Sequence, residues 1–353
     1  MKILITGGAG FVGSRLALGI AESLENTRVT AFDNLKRRGA ELNLPRLAKA
    51  GISFVHGDVR NAEDLDGCGK VDLIIECSAE PSVLAGYGGS PGYLINTNLM
   101  GAIHCFELAR RHGAATIFLS TSRVYPIATI KSLVYREEAT RFVLEDEQPV
   151  PGASGRGISE QFPLEGTRSL YGATKLCAEY LLQEYLEAYG MRGIINRCGV
   201  LTGPWQMGKV DQGVVVLWIA RHIFGGTLKY IGYGGAGKQV RDMLHIDDLL
   251  QLVLLQIENM DRFSGETFNV GGGGGVSVSL QELTSLCECA TGKSIQIGSE
   301  REERPADIPL YITDNSLVTA RTGWEPRIGA GQIVEDIAAW IGDHKTALQP
   351  ILS

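Results

Sequence analysis

The sequence predicts an α/β protein built on a doubly wound parallel sheet, with a smaller mixed α/β lobe towards the C-terminus. Three observations lead there. Short β-rich runs alternate with helical periodicity through the first half of the chain, a glycine-rich turn follows the first run directly, and an aspartate stands twenty residues beyond that turn. Alternation of this kind argues for parallel strands covered by helices on both faces.

Taken in order, strands are expected at 2–6, 28–32, 53–56, 71–77, 115–120 and 192–196, with helices near 11–24, 92–112 and 171–189. The strands are short β-rich runs. Beyond about residue 200 the texture changes. Gly and Pro punctuate shorter elements, and helices resume at 247–258, 279–291 and 331–341; the five glycines at 271–275 read as a loop. We therefore expect a first domain over 1–200 and a second lobe over 201–353, partly interleaved with it. Residues 126–170 show no long periodicity and are rich in Glu, Pro and Gly. A structureless stretch of that length in a compact domain reads as a functional loop or lid.

Composition narrows the function classes. The 353 residues carry 33 Lys and Arg against 40 Asp and Glu, a formal charge of -7, which speaks against a nonspecific nucleic-acid binder. Seven cysteines, with no C-x-x-C pair, read as free thiols. His56, His104, His112, His222 and His245 are scattered without ligand spacing, so no metal site is expected. The longest apolar stretch, Val214 to Ala220, is far too short to span a bilayer, and the opening run Lys2–Thr6 reads as a strand rather than a leader. A cytoplasmic, reducing location and no membrane partner are the expectation.

The turn Gly7-Gly8-Ala9-Gly10-Phe11-Val12-Gly13 lies between the first strand and the first helix, with glycines spaced G-x-x-G-x-x-G. Such a turn lets the backbone approach a pyrophosphate, and the helix N-terminus offers free N–H groups. Asp33 ends the next strand, where a carboxylate binds the ribose hydroxyls and repels a 2′-phosphate. Arg37 and Arg38 pull towards a 2′-phosphate, but the carboxylate would be in direct contact, so NAD is expected. This is the Rossmann arrangement. Gly57-Asp58-Val59 closes the third strand at the adenine edge, and Cys77-Ser78-Ala79-Glu80 closes the fourth with small residues over which a cofactor can lie.

Tyr171-Gly172-Ala173-Thr174-Lys175 opens a helix as Y-x-x-x-K. The i,i+4 spacing places both side chains on one face. An ammonium beside a phenol favours the phenolate, lowering a pKa ordinarily about 10 and fitting tyrosine to act as a base near neutral pH. A non-catalytic NAD-sensing module keeps the glycines but tends to lose this pair, which is present here.

With TGGAGFVGS (6–14), FDNL (32–35), GDVR (57–60), LSTSRVYP (119–126), YGATK (171–175), GKQVRDMLHIDD (237–248) and FNVGG (268–272), the chain resembles the extended short-chain dehydrogenase/reductases over nearly its whole length. The branch is that of the NAD-dependent nucleotide-sugar epimerases and dehydratases. FDNLKRRGAELNL (32–44), YREEATRF (135–142) and Lys209 to Gly213 resemble the CDP-tyvelose (CDP-paratose) 2-epimerases within it.

The resemblance implies a nucleotide-sugar substrate, bound NAD, a homodimer or higher homo-oligomer, and a place in lipopolysaccharide or polysaccharide biosynthesis. It implies that Thr121 hydrogen-bonds the sugar oxygen being oxidised, Tyr171 takes its proton, and Lys175 binds the nicotinamide ribose. The cofactor set it implies is Gly7, Gly10, Phe11, Val12, Asp33, Asn34, Arg38, Asp58, Val59, Ser78, Ala79, Glu80 and Asn98, with Tyr171 and Lys175. For the substrate it implies Thr121, Ser122, Arg123, Gln206, Asp211, Gln212, Arg241 and Arg304, the last two on the pyrophosphate. The acid/base pair of the sugar 4,6-dehydratases is replaced here by Ser122 and Arg123. An arginine is no base at neutral pH, which favours epimerisation over loss of water. A nucleotide-sugar 4-epimerase or 4-reductase is the alternative.

Overall fold

The computed structural model describes residues 1–208 and 212–353. Its centre is a seven-stranded sheet of β1 Lys2–Thr6, β2 Arg28–Asp33, β3 Ser53–His56, β4 Leu73–Glu76, β5 Ala115–Thr121, β6 Gly193–Cys198 and β7 Thr267–Val270, in the order β7-β6-β5-β4-β1-β2-β3. The ladders from β3 through β2, β1 and β4 to β5 are parallel. Every residue of β4 and β5 is buried, as in a parallel sheet covered on both faces. The strand order reverses at β1, which puts the exits of β1 and β4 side by side at the switch point where α/β sheets bind ligands. The doubly wound architecture is the one expected from the sequence; β1 to β6 lie within a few residues of their expected positions, and β7 is a strand the sequence reading did not foresee.

Helices α1 Phe11–Ser23, α2 Gly92–Ile95, α3 Gly101–His112 and α4 Leu170–Tyr189 flank this sheet. Ser169 caps α4, accepting from the Gly172 amide at 3.2 Å, and Gly190 ends it at φ 61°. The helix expected as one piece over 92–112 is broken. Between α2 and α3, residues Asn96–Met100 form a π turn, and Asn98 sits inside it. Inserted residues of this kind mark functional positions.

The chain divides into two compact units: Met1–Val124, Ser169–Arg197 and Leu249–Phe268 form one, and Tyr125–Arg168, Cys198–Asp248 and Asn269–Ser353 the other. In the second, strand Val240–His245 pairs in parallel with Val200–Thr202 and Leu310–Tyr311 and antiparallel with Ser277–Ser279. Helix Val214–Phe224, on the apolar stretch noted above, helix Leu280–Thr291 and helix Ala330–Asp343 supply its core. The segment 126–170 is not structureless. It holds a helical turn Ile127–Lys131, a hairpin of Tyr135–Glu137 with Phe142–Leu144, and a second of Ala153–Ser154 with Gly157–Ile158. Strands of two or three residues leave no periodicity to read. Among the described residues, no helix is long and apolar enough to cross a membrane.

Candidate active site

The glycine turn is shaped as the spacing requires. Gly7 is left-handed at φ 63°, and a β-carbon on Gly13 would stand 2.2 Å from the Gly7 carbonyl oxygen, so only glycine lets α1 start this close to β1. No side chain caps α1, whose N-cap is Gly10. Its first amides, those of Phe11 and Val12 among them, are placed for an anion.

Asp33 closes β2 beside this turn. Its carboxylate accepts from the amides of Ala9 at 3.1 Å and Leu35 at 2.8 Å, which fixes its direction. Burial raises its pKa, and these amides work against the rise. An uncapped helix end, a glycine-rich turn and a fixed carboxylate together fit a dinucleotide.

Asn34 donates to Asp58 at 2.9 Å. Asp58 itself is taken up by Arg60, which donates from Nε at 2.9 Å and from Nη2 at 2.7 Å. Arg60 holds its carboxyl down at about 2. Its carboxylate thus ties two loops together. The Val59 carbonyl meets His104 Nδ1 at 2.8 Å, and its methyl groups fill the space left by the absent side chain of Gly101. Arg38 is exposed on the loop leaving β2.

Ser78 is buried and Ala79 and Glu80 half-buried at the exit of β4. Asn98 holds this exit in both directions, accepting from the Glu80 amide at 2.8 Å and donating to the Glu80 carbonyl at 3.1 Å. The same side-chain nitrogen reaches Thr174 Oγ1 at 3.4 Å, on the helix of the Tyr-Lys pair. The π turn therefore places one amide between the loop leaving β4 and helix α4. The Glu80 carboxylate accepts from the Ser82 amide at 3.4 Å, closing its own turn.

Thr121 ends β5 and Tyr171 opens α4; both are buried, at 7% and 9% exposure. The Thr121 hydroxyl accepts from the Arg123 amide at 3.2 Å, which leaves its proton to donate. Ser122 and Arg123 form the tight turn that follows. Lys175 is 2% exposed. Its Nζ lies 3.3 Å from Glu76 Oε2 and 4.1 Å from the centre of the Phe118 ring. Burial raises the Glu76 pKa, and Lys175 opposes it.

Sequence reasoning missed Glu76. The signal was there: one charge inside the apolar run Leu73-Ile74-Ile75-Glu76 that should have been wholly neutral. It missed Glu179 as well, one further turn along α4. Glu179 accepts from the Ser120 hydroxyl and from one edge of the Arg197 guanidinium, at 3.0 Å from Nε and 2.7 Å from Nη2. Tyr171, Lys175 and Glu179 recur every four residues, so a single buried face of α4 carries all three.

The remaining substrate candidates belong to the second unit. Arg241 donates to the Val240 carbonyl at 2.8 Å, the Ile308 carbonyl at 2.7 Å and Asp307 at 3.1 Å. Asp307 in turn donates its amide to the Arg304 carbonyl at 3.2 Å. The Arg241 guanidinium thus reaches the turn that Arg304 opens. Gln206 is spent internally: it donates to the Leu201 carbonyl at 2.9 Å and accepts from Thr202 at 3.0 Å. Gln212 is half-buried, and Asp211 lies outside the described residues.

A switch-point glycine turn, a buried aspartate closing the next strand and a Tyr-Lys pair on one helix face fit a dinucleotide-dependent enzyme. The chain belongs to the NAD dependent epimerase/dehydratase family, whose pattern spans residues 3–271; its cofactor is NAD. It is 29% identical to CDP-paratose 2-epimerase of Salmonella typhi, over 96% of this chain and 99% of that protein. It is 25% identical to dTDP-glucose 4,6-dehydratase of Streptomyces antibioticus, over 99% and 95%. Among solved structures, the UDP-glucose 4-epimerase of Thermus thermophilus in complex with NAD superposes with a TM-score of 0.76. That protein is 25% identical, over 97% of this chain and 99% of the other.

Proposed function

We propose that the protein inverts one carbon of a nucleotide-sugar by transient oxidation and re-reduction, at C2 of a CDP-3,6-dideoxyhexose of the paratose/tyvelose type. The observation that carries the epimerase reading is the turn after Thr121. The side chains there are Ser122 and Arg123, and neither can supply the acid and base that elimination of water needs.

Bound NAD supplies the hydride acceptor and donor. In this reading the Thr121 hydroxyl donates to the sugar oxygen and holds it against Tyr171. The Tyr171 phenolate takes the hydroxyl proton as the carbon is oxidised and returns it as the carbon is reduced. Lys175 holds the nicotinamide ribose and favours the phenolate. Asn98 keeps the cofactor loop in register with α4, and Arg241 and Arg304 grip the pyrophosphate with charge-assisted bonds. The hairpins of residues 126–170 serve the sugar as a lid or pocket wall. Inversion requires the oxidised sugar to turn over before it is reduced, so the pocket must bind its two faces comparably well. The similarity to CDP-paratose 2-epimerase supports C2 and the CDP carrier; the similarity to a UDP-glucose 4-epimerase supports inversion at C4 as the second reading. The active species is a homodimer or higher homo-oligomer.

The test is a panel of CDP-, UDP- and dTDP-sugars followed by NMR for inversion at each carbon. Inversion at C2 of CDP-paratose is expected. Loss of water instead, or inversion at C4 alone, would overturn the assignment. Tyr171→Phe should cut kcat about 10²–10⁴-fold while NAD stays bound.

A further inference from the structure

An epimerase that returns its hydride must not lose its cofactor between the two half-reactions, so the following rests on the redox-neutral reading above. At the rim of the first unit, two cations lie on one aromatic ring. Lys36 Nζ is 3.3 Å from the centre of the Tyr93 ring, and the Arg60 guanidinium carbon is 4.8 Å from it.

Their places in the sheet give the contact its meaning. Lys36 lies three residues beyond Asp33 on the chain leaving β2, and Arg60 two beyond Asp58 on the chain leaving β3. Tyr93 belongs to α2, in the crossover from β4 to β5. Because β1 lies between β4 and β2, the stack joins chain segments from the two sides of β1 and its glycine turn.

The stack is also closed on itself. Arg60 is held by Asp58, Asp58 accepts from the Asn34 side chain, and the Asn34 side-chain oxygen accepts from the Lys36 amide at 3.0 Å. Asn34, Asp58, Arg60, Tyr93 and Lys36 thus form a ring of five residues, each bonded or stacked to the next. Lys36 and Arg60 are exposed and Tyr93 is half-buried, so the ring adds little to the core. It stands at the exits of β2 and β3, the side of the switch point on which a doubly wound sheet takes the adenosine half of a dinucleotide.

We propose that Tyr93, held by Lys36 and Arg60, is a strap across the adenosine half of NAD that slows its release. In this arrangement Asp58 and Asn34 act through Arg60 and Lys36 as positioning residues, and Tyr93 is the contact that must part for exchange.

The test is the release rate of radiolabelled NAD from the full-length protein, chased with excess unlabelled NAD. Tyr93→Leu keeps the bulk and removes the ring; it should release NAD on the order of tenfold faster, the size that two exposed cation–π contacts supply. Tyr93→Phe keeps the ring and should release it at the wild-type rate. Lys36→Gln, which leaves the ring in place, should give a several-fold increase. It serves as the measurement if Tyr93→Leu does not fold. Wild-type release rates in both Tyr93→Leu and Lys36→Gln would overturn the strap, as would equal acceleration in Tyr93→Leu and Tyr93→Phe. The readout is a ratio and uses no sugar. It therefore reports on the strap even if the wild type holds NAD weakly, an outcome that would count against the redox-neutral reading alone.

Discussion

At Lys175 the ammonium is buried against Glu76 and the Phe118 ring, so a residue assigned to chemistry is also half of an internal ion pair. Removing one partner of such a pair leaves the other charge buried and uncompensated. Lys175→Ala should therefore cost about 3–5 kcal/mol in urea unfolding besides its loss of activity, and adding Glu76→Gln should recover part of that stability but not the rate. The pH dependence follows from the raised pKa of Glu76. A carboxyl held above its unfolded value of about 4.3 contributes stability that is full below that value and is lost as pH rises through the folded value. Urea midpoints measured from pH 4 upward should show this fall in the wild type and lose it in Glu76→Gln. An unchanged slope in the variant would assign it to other groups.

At the scale of elements, the strands and most helices were legible because each carries one strong pattern. β1, β4 and β5 are apolar runs, and α4 opens on a serine cap. What was not legible carries no period. The π turn at Asn96–Met100 hides within an otherwise helical stretch, since one added residue shifts the periodicity without interrupting it. The hairpins within 126–170 are too short to alternate visibly. Of the site, the glycine turn, Asp33 and the Tyr-Lys pair were legible from spacing. Glu76 showed only as one charge closing an apolar run, with its partner Lys175 lying 99 residues away, and Glu179, 18 residues from Arg197, carried no pattern at all. The π turn makes a prediction of its own. Asn98→Ala removes two bonds to the Glu80 backbone and one to Thr174. At about 0.5–1.5 kcal/mol for each hydrogen bond, it should weaken NAD binding and lower stability together, as calorimetry and thermal melts would show. Intact NAD affinity with lowered stability would make Asn98 purely structural.

For the molecule as a whole, the decisive quantity is redox balance. A dehydrogenase exchanges its cofactor at every turnover, whereas an epimerase ends each cycle with the oxidation state it began with. The purified protein should carry NAD without any being added, and turnover of its sugar should proceed with no net growth in absorbance from reduced cofactor. Steady accumulation of reduced cofactor with an authentic substrate would move the protein to the dehydrogenases.

The division of the chain also sets the order in which it can be built. The first unit draws on three separated stretches, the last of them Leu249–Phe268, and the edge strand β7 is complete only at Val270. During synthesis from the N-terminus, β6 therefore emerges more than sixty residues before the strand that covers its edge. An uncovered strand edge is a template for pairing with another chain. A nascent or truncated chain ending near residue 200 presents that edge to its neighbours, whereas in the finished protein the late-arriving strand has closed it.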